Sequence, residues 1–122
     1  MNQVLVESLR QKQDPLQRPP WSQSWRRDPI TSEEIQQALQ DPALDEQGRP
    51  WTKHCGSWTR DETSSRKSHV YRIAYFVKHR EAAAPITLKA SGSMFDGYHR
   101  LAAAIYCGDE YIAVGEGLAA GV

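Results

Sequence analysis

Apolar residues at Val70, Ile73, Ala74 and Val77 recur at i, i+3, i+4 and i+7, which predicts a helix over 66–79 with one face on a core. A narrower stripe, Ile35, Ala38 and Leu39, predicts a helix over 32–40. Its start is written in Thr31-Ser32-Glu33-Glu34, a capping box with Thr31 as N-cap and Glu34 at N3, and Ile30 and Ile35 stand at the two staple positions. Pro42 stops it. Leu101, Ala104 and Ile105 define a helix over 98–106, and Gly108 suits the left-handed position after its end. Between the last two helices the period changes to two. Ile86 and Leu88 share one face of a strand over 85–89, Ala90-Ser91-Gly92 turns the chain, and Ser93-Met94-Phe95 is a short second strand. Residues 110–114 read as a final strand.

The flanks carry no such order. Val4, Leu5, Val6 and Leu9 fit a short strand or one turn of helix equally well, and Pro15, Pro19, Pro20 and Pro29 interrupt regular structure across most of 14–30. Residues 1–30 are therefore expected to form a Pro- and Trp-rich arm ahead of a single domain over 31–122. Trp21 and Trp25 stand in it beside Arg26 and Arg27. The indoles either pin the arm to the domain or form, with the arginines, a stacking and phosphate-contacting platform for single-stranded nucleic acid. Residues 41–65 make a long polar connection containing Trp51, His54, Cys55 and Trp58, and residues 115–122 a loose, small-residue tail.

Composition narrows the function classes. With 15 basic and 15 acidic side chains in 122 residues, a polyelectrolyte role is excluded. The balance hides a gradient: residues 51–80 carry a net +5, against −2 for 1–50 and −3 for 81–122. A basic middle segment steers anionic partners, or is simply a solvated helix face. No apolar stretch approaches the roughly 20 residues that span a bilayer, and no basic-then-apolar leader opens the chain, so a cytoplasmic protein with no membrane partner is expected. The two cysteines, Cys55 and Cys107, form no Cys-x-x-Cys motif, which argues against a zinc ribbon or a thioredoxin-type centre.

Candidate chemistry concentrates in Asp96-Gly97-Tyr98-His99-Arg100. A strand, a sharp turn and a helix start gather unpaired N–H groups, Gly97 lets the backbone approach a ligand, and His99 and Arg100 add side-chain donors. Such a turn suits a phosphate. Asp96 has three possible tasks: to hold a divalent metal, to cap the helix, or to orient His99. His99 is a candidate general acid or base. His69 and Arg72, close together on the preceding helix, either approach the same anion or form a boundary face with Arg72 in a salt bridge.

Phe95-Asp96-Gly97-Tyr98-His99-Arg100-Leu101-Ala102-Ala103-Ala104, with Gly108 and the strand at 110–114 behind it and Pro85-Ile86-Thr87-Leu88 ahead, resembles the signature of the ParB/sulfiredoxin superfamily. The segment from His69 to Val77 is similar to the helix preceding that strand in small ParB-like proteins. The resemblance spans about residues 66–115. It implies an α+β fold, a small mixed sheet packed with about three helices, whose loop-and-helix site binds a nucleotide or nucleic-acid phosphate through Gly97, Tyr98, His99 and Arg100, with His69 and Arg72 approaching. It also implies possible nuclease or NTPase chemistry with Mg²⁺ and ATP or CTP, with Asp96, His99 and Arg100 as the catalytic set. Two departures narrow this. Tyr98 stands where sulfiredoxins have their cysteine, so sulfiredoxin activity is excluded. Gly97-Tyr98-His99-Arg100 stands where partition CTPases have Gly-Glu-Arg-Arg, and no helix-turn-helix follows. Small proteins of this type look like plasmid or phage products, and the alternative expectation is a non-catalytic module that binds nucleic acid or a protein target.

Overall fold

A capping box sets the first well-signalled helix, α2 (Ser32–Leu39). Thr31 Oγ1 accepts from the Glu34 amide at 3.2 Å, and the Glu34 carboxylate accepts from the Thr31 amide at 3.0 Å. Ile30 and Ile35, the staple pair, are both buried. The computed structural model describes residues 2–20, 29–45, 66–80 and 85–115. Within them the order is β1 (Asn2–Leu5), α1 (Val6–Lys12), α2, a 3-10 turn (Pro42–Asp45), α3 (Arg66–Lys78), β2 (Thr87–Leu88), β3 (Met94–Asp96), α4 (Tyr98–Cys107) and β4 (Tyr111–Val114). The fold is a small α+β arrangement.

Two departures from the sequence reading concern the sheet and the N-terminal segment. The described strands form two separate two-stranded antiparallel ladders, β1 with β4 and β2 with β3, where one mixed sheet was expected. A single parallel bridge, Ile86 to Val114, joins them, with Ile86 N–H donating to Ala113 O and Gly115 N–H to Ile86 O. The described residues also hold four α-helices, one more than the three expected, because residues 2–12 are ordered secondary structure. Val4–Leu9 satisfies both readings of its pattern: the chain pairs with β4 as a strand, then turns into helix at Val6. Trp21, Trp25, Arg26 and Arg27 lie outside the described residues, as do Trp51, His54, Cys55 and Trp58.

Two apolar clusters sit on either side of α4. One collects Ile30, Ile35, Ala38 and Leu44 with Val70, Tyr71, Ile73 and Ala74 of α3 and Ala102 and Ala103 of α4. The other collects Val6 and Leu9 of α1, Ile86, Met94, Leu101, Ala104 and Val114. Small residues on α4 let α3 approach closely, and burial of the surrounding aliphatic side chains supplies about 1.5–3 kcal/mol each. Polar ties fix the connection before α3: Tyr71 Oη–H donates to Asp41 Oδ2 at 2.7 Å, and His79 Nε2–H donates to Leu44 O at 2.7 Å. Contacts of His69 with His99 near the helix starts, and of Arg80 with Asp109 past their ends, show that α3 and α4 run in the same direction. Their N-terminal turns therefore meet.

Candidate functional site

Gly97 creates the geometry of the predicted turn. It is the N-cap of α4 with φ +112°, a left-handed conformation open to glycine, and it caps the helix with no side-chain hydrogen bond. It is also the only residue type that fits. A Cβ there would stand 2.6 Å from Ile86 Cγ2 and 2.9 Å from Ile86 Cβ, and Ile86 is fully buried. The glycine thus lets α4 start directly against the strand side of the core.

From this turn the predicted site residues separate. Arg100 folds back over Gly97: Nη1–H donates to Pro85 O at 2.8 Å and Nη2 pairs with Asp96 Oδ2 at 3.2 Å. Its side chain is 15 % exposed, whereas that of Asp96 is 70 % exposed. Asp96 neither caps α4 nor orients His99. Its task is to hold the guanidinium, because Asp96 ends β3 on the side from which Arg100 returns.

His99 points elsewhere. Its Nε2 lies 2.8 Å from Nδ1 of His69, with ring planes 10° apart and centroids 5.0 Å apart. A nitrogen-to-nitrogen contact this short at that centroid spacing is an edge-on hydrogen bond rather than a face-to-face stack. One ring donates and the other accepts, so the accepting nitrogen carries no proton. Burial lowers His69 to about 4, with the charge of Arg72 adding to it. His99 lies well below its ordinary value, chiefly through burial and then through electrostatic interaction with Arg72, His69 and Arg100. The structure brings His69 and Arg72 together with His99 but not with Arg100, where an approach to one shared anion was expected. They form an interior group between α3 and α4, not part of the wall on which Arg100 stands.

That wall belongs to a concavity of about 190 Å³ lined by Phe76, Arg80, Arg100, Ala103, Asp109 and Tyr111, among others. Arg80 pairs with Asp109 at its rim. Two arginines thus border one hollow, Arg100 paired with Asp96 and Arg80 with Asp109. Sequence reasoning missed Arg80, which belongs to the basic 51–80 segment but carries no motif. Helix spacing gives no signal for the Asp96–Arg100 pair, because Asp96 ends β3 and only Arg100 lies on α4. Tyr98 faces away from this hollow and donates its Oη–H to Gln13 Oε1 at 3.1 Å.

The Mg²⁺ expectation finds little support in the donor set. Among the described residues no group of three or more His, Cys, Asp or Glu is placed to hold a metal ion. Asp96 offers one carboxylate, already engaged by Arg100. These residues alone do not make a protein-built magnesium site. Cys107 is exposed and free. No helix among the described residues is long and apolar enough to cross a membrane.

Comparison with protein-family models, with curated proteins and with solved structures gives no match.

Proposed function

We infer that the chain is a small phosphate-binding module of ParB/sulfiredoxin-like type, whose ligand is the phosphate of a nucleotide or of nucleic acid. One observation carries the reading: Arg100 and Arg80 border the same concavity, and each pairs with a carboxylate, Asp96 or Asp109, that an incoming oxyanion can replace. A guanidinium presents a fixed fork to phosphate oxygens, and the uncapped start of α4 adds a positive field beside Arg100. A volume of about 190 Å³ is smaller than the 300–1,000 Å³ usual for whole small-molecule ligands, so it suits the phosphate group, with base and sugar projecting outward.

The same geometry favours a binding module over a metal-dependent nuclease or NTPase. Phosphoryl transfer needs a positioned proton acceptor or water. His99, the candidate for that role, is committed to His69 in the interior and does not line the concavity. Titration calorimetry with ATP, CTP and single-stranded DNA, with and without Mg²⁺, tests the reading. Arg100→Ala should lower affinity by about tenfold or more, in line with losing one charge-assisted contact. Unchanged affinity in a folded Arg100→Ala protein overturns it. Turnover of any of these ligands that is lost with His99→Gln would restore the enzyme reading.

A further inference from the structure

Behind the first turn of α4, on the side to which Tyr98 points, lies a second hollow of about 190 Å³, lined by Leu9, Lys12, Gln13, Lys89, Ser93, Met94 and Tyr98. Its walls come from three places in the sequence: the end of α1, the β2–β3 turn and the start of α4. Among the described residues no carboxylate lines it. Glu7 and Asp14, the nearest acids in sequence to Lys12, are both engaged by Arg10, at 3.1 and 3.2 Å. Among the described residues neither Lys12 nor Lys89 makes an ion pair.

The hollow is held open by local structure. Gly92 at φ +89° closes the hairpin, with its N–H donating to Lys89 O, and Lys89 N–H donates to Ser93 O at 2.7 Å. Lys12 lies across that turn, its Nζ 3.1 Å from where a Cβ on Gly92 would stand. On the floor, Leu9 and Met94 are buried, and the Tyr98–Gln13 hydrogen bond ties α4 to the end of α1. Two ammonium groups, the Ser93 hydroxyl and the Gln13 amide thus border one small space with an apolar base. Like charges gathered with no counter-charge among the described residues raise the local potential and attract an anion from solution.

We propose that this hollow is a second anion site, formed by Lys12 and Lys89 with Ser93 and Gln13, that takes a phosphoryl group. It is separate from the Arg100 concavity and does not depend on it. Lysine ammonium groups bind such groups as point charges, so the site selects for charge and size rather than for a fixed orientation.

Residue-resolved NMR titration of the full chain with inorganic phosphate at low ionic strength tests the proposal. The amide signals of Lys89 and Ser93 should move saturably, and the apparent dissociation constant should rise on adding NaCl. Lys12→Gln with Lys89→Gln should weaken this binding by about tenfold or more, while Lys12→Arg with Lys89→Arg retains it. Both lysines are exposed, and unchanged signals from Leu101 and Ala103 will show that the variants are folded. Binding at Lys89 and Ser93 should persist in Arg100→Ala, which separates this site from the other. Signals that shift without saturating, or a folded double Gln variant with wild-type affinity, overturn the proposal.

Discussion

His99 Nε2 and His69 Nδ1 meet at 2.8 Å in the interior, where the starts of α3 and α4 come together. One proton on that axis joins the two helices. The contact needs one unprotonated ring nitrogen, and burial beside Arg72 disfavours a charge on either ring. A second proton would place a charge beside Arg72 in a buried space.

Stability should therefore fall with acid. Both folded-state values lie below the ordinary histidine value of 6.5, so the unfolded chain binds protons first as the pH drops. The stabilising difference is fully present above about pH 6.5 and is lost progressively towards pH 4, the value for His69. Each proton taken up only by the unfolded chain contributes a slope of up to about 1.4 kcal/mol per pH unit. Denaturation midpoints measured from pH 7.5 to 4.5 should decline, and His69→Gln with His99→Gln should flatten the decline. An equally steep decline in that variant would place its origin elsewhere.

Gly97→Ala and Gly108→Ala should differ sharply, although both glycines have positive φ. At Gly108, φ is +73° and nothing lies within 4 Å of the added methyl group, so the cost is conformational, about 1 kcal/mol. At Gly97 the methyl meets buried Ile86 at 2.6 Å, adding an overpacking penalty of about 1–3 kcal/mol. Urea denaturation of the two variants compares them directly.

Asp96→Asn should strengthen binding of phosphate-bearing ligands. The carboxylate is 70 % exposed and competes for Arg100, so its pairing energy is a surface value of about 0–1 kcal/mol. Removing the competitor should raise affinity by up to about fivefold in calorimetry. Reduced affinity would show that Asp96 positions Arg100 for its ligand rather than shielding it.

Thr31→Ala removes the side chain that accepts from the Glu34 amide and should cost about 1 kcal/mol. Thermal unfolding reads this, and α2 should fray at its start without loss of α3–α4 packing.

Elements with chemical punctuation were legible in the sequence. The Thr31–Glu34 box set the start of α2, Gly97 and Gly108 bracketed α4, and the Val70–Val77 stripe located α3. What escaped were non-local relationships. Asn2–Leu5 is too short to declare itself a strand, and it becomes one by pairing with Tyr111–Val114. The His69–His99 contact joins residues on two helices whose stripes predict packing but not which polar side chains meet inside it. Arg100 was placed at the correct turn, yet its Pro85 carbonyl partner depends on how β2 lies beside α4.

The β1–β4 ladder links positions more than 100 residues apart, and its consequence falls on the order of folding. Closing so large a loop is entropically the most demanding step in the described fold. The α2–α3 contacts and their shared cluster can assemble while the end of the chain is still being synthesised. Val6 and Leu9 cannot be covered in the same way until β4 is available. During that interval a nascent chain exposes the apolar side of α1, and chaperone engagement should concentrate there.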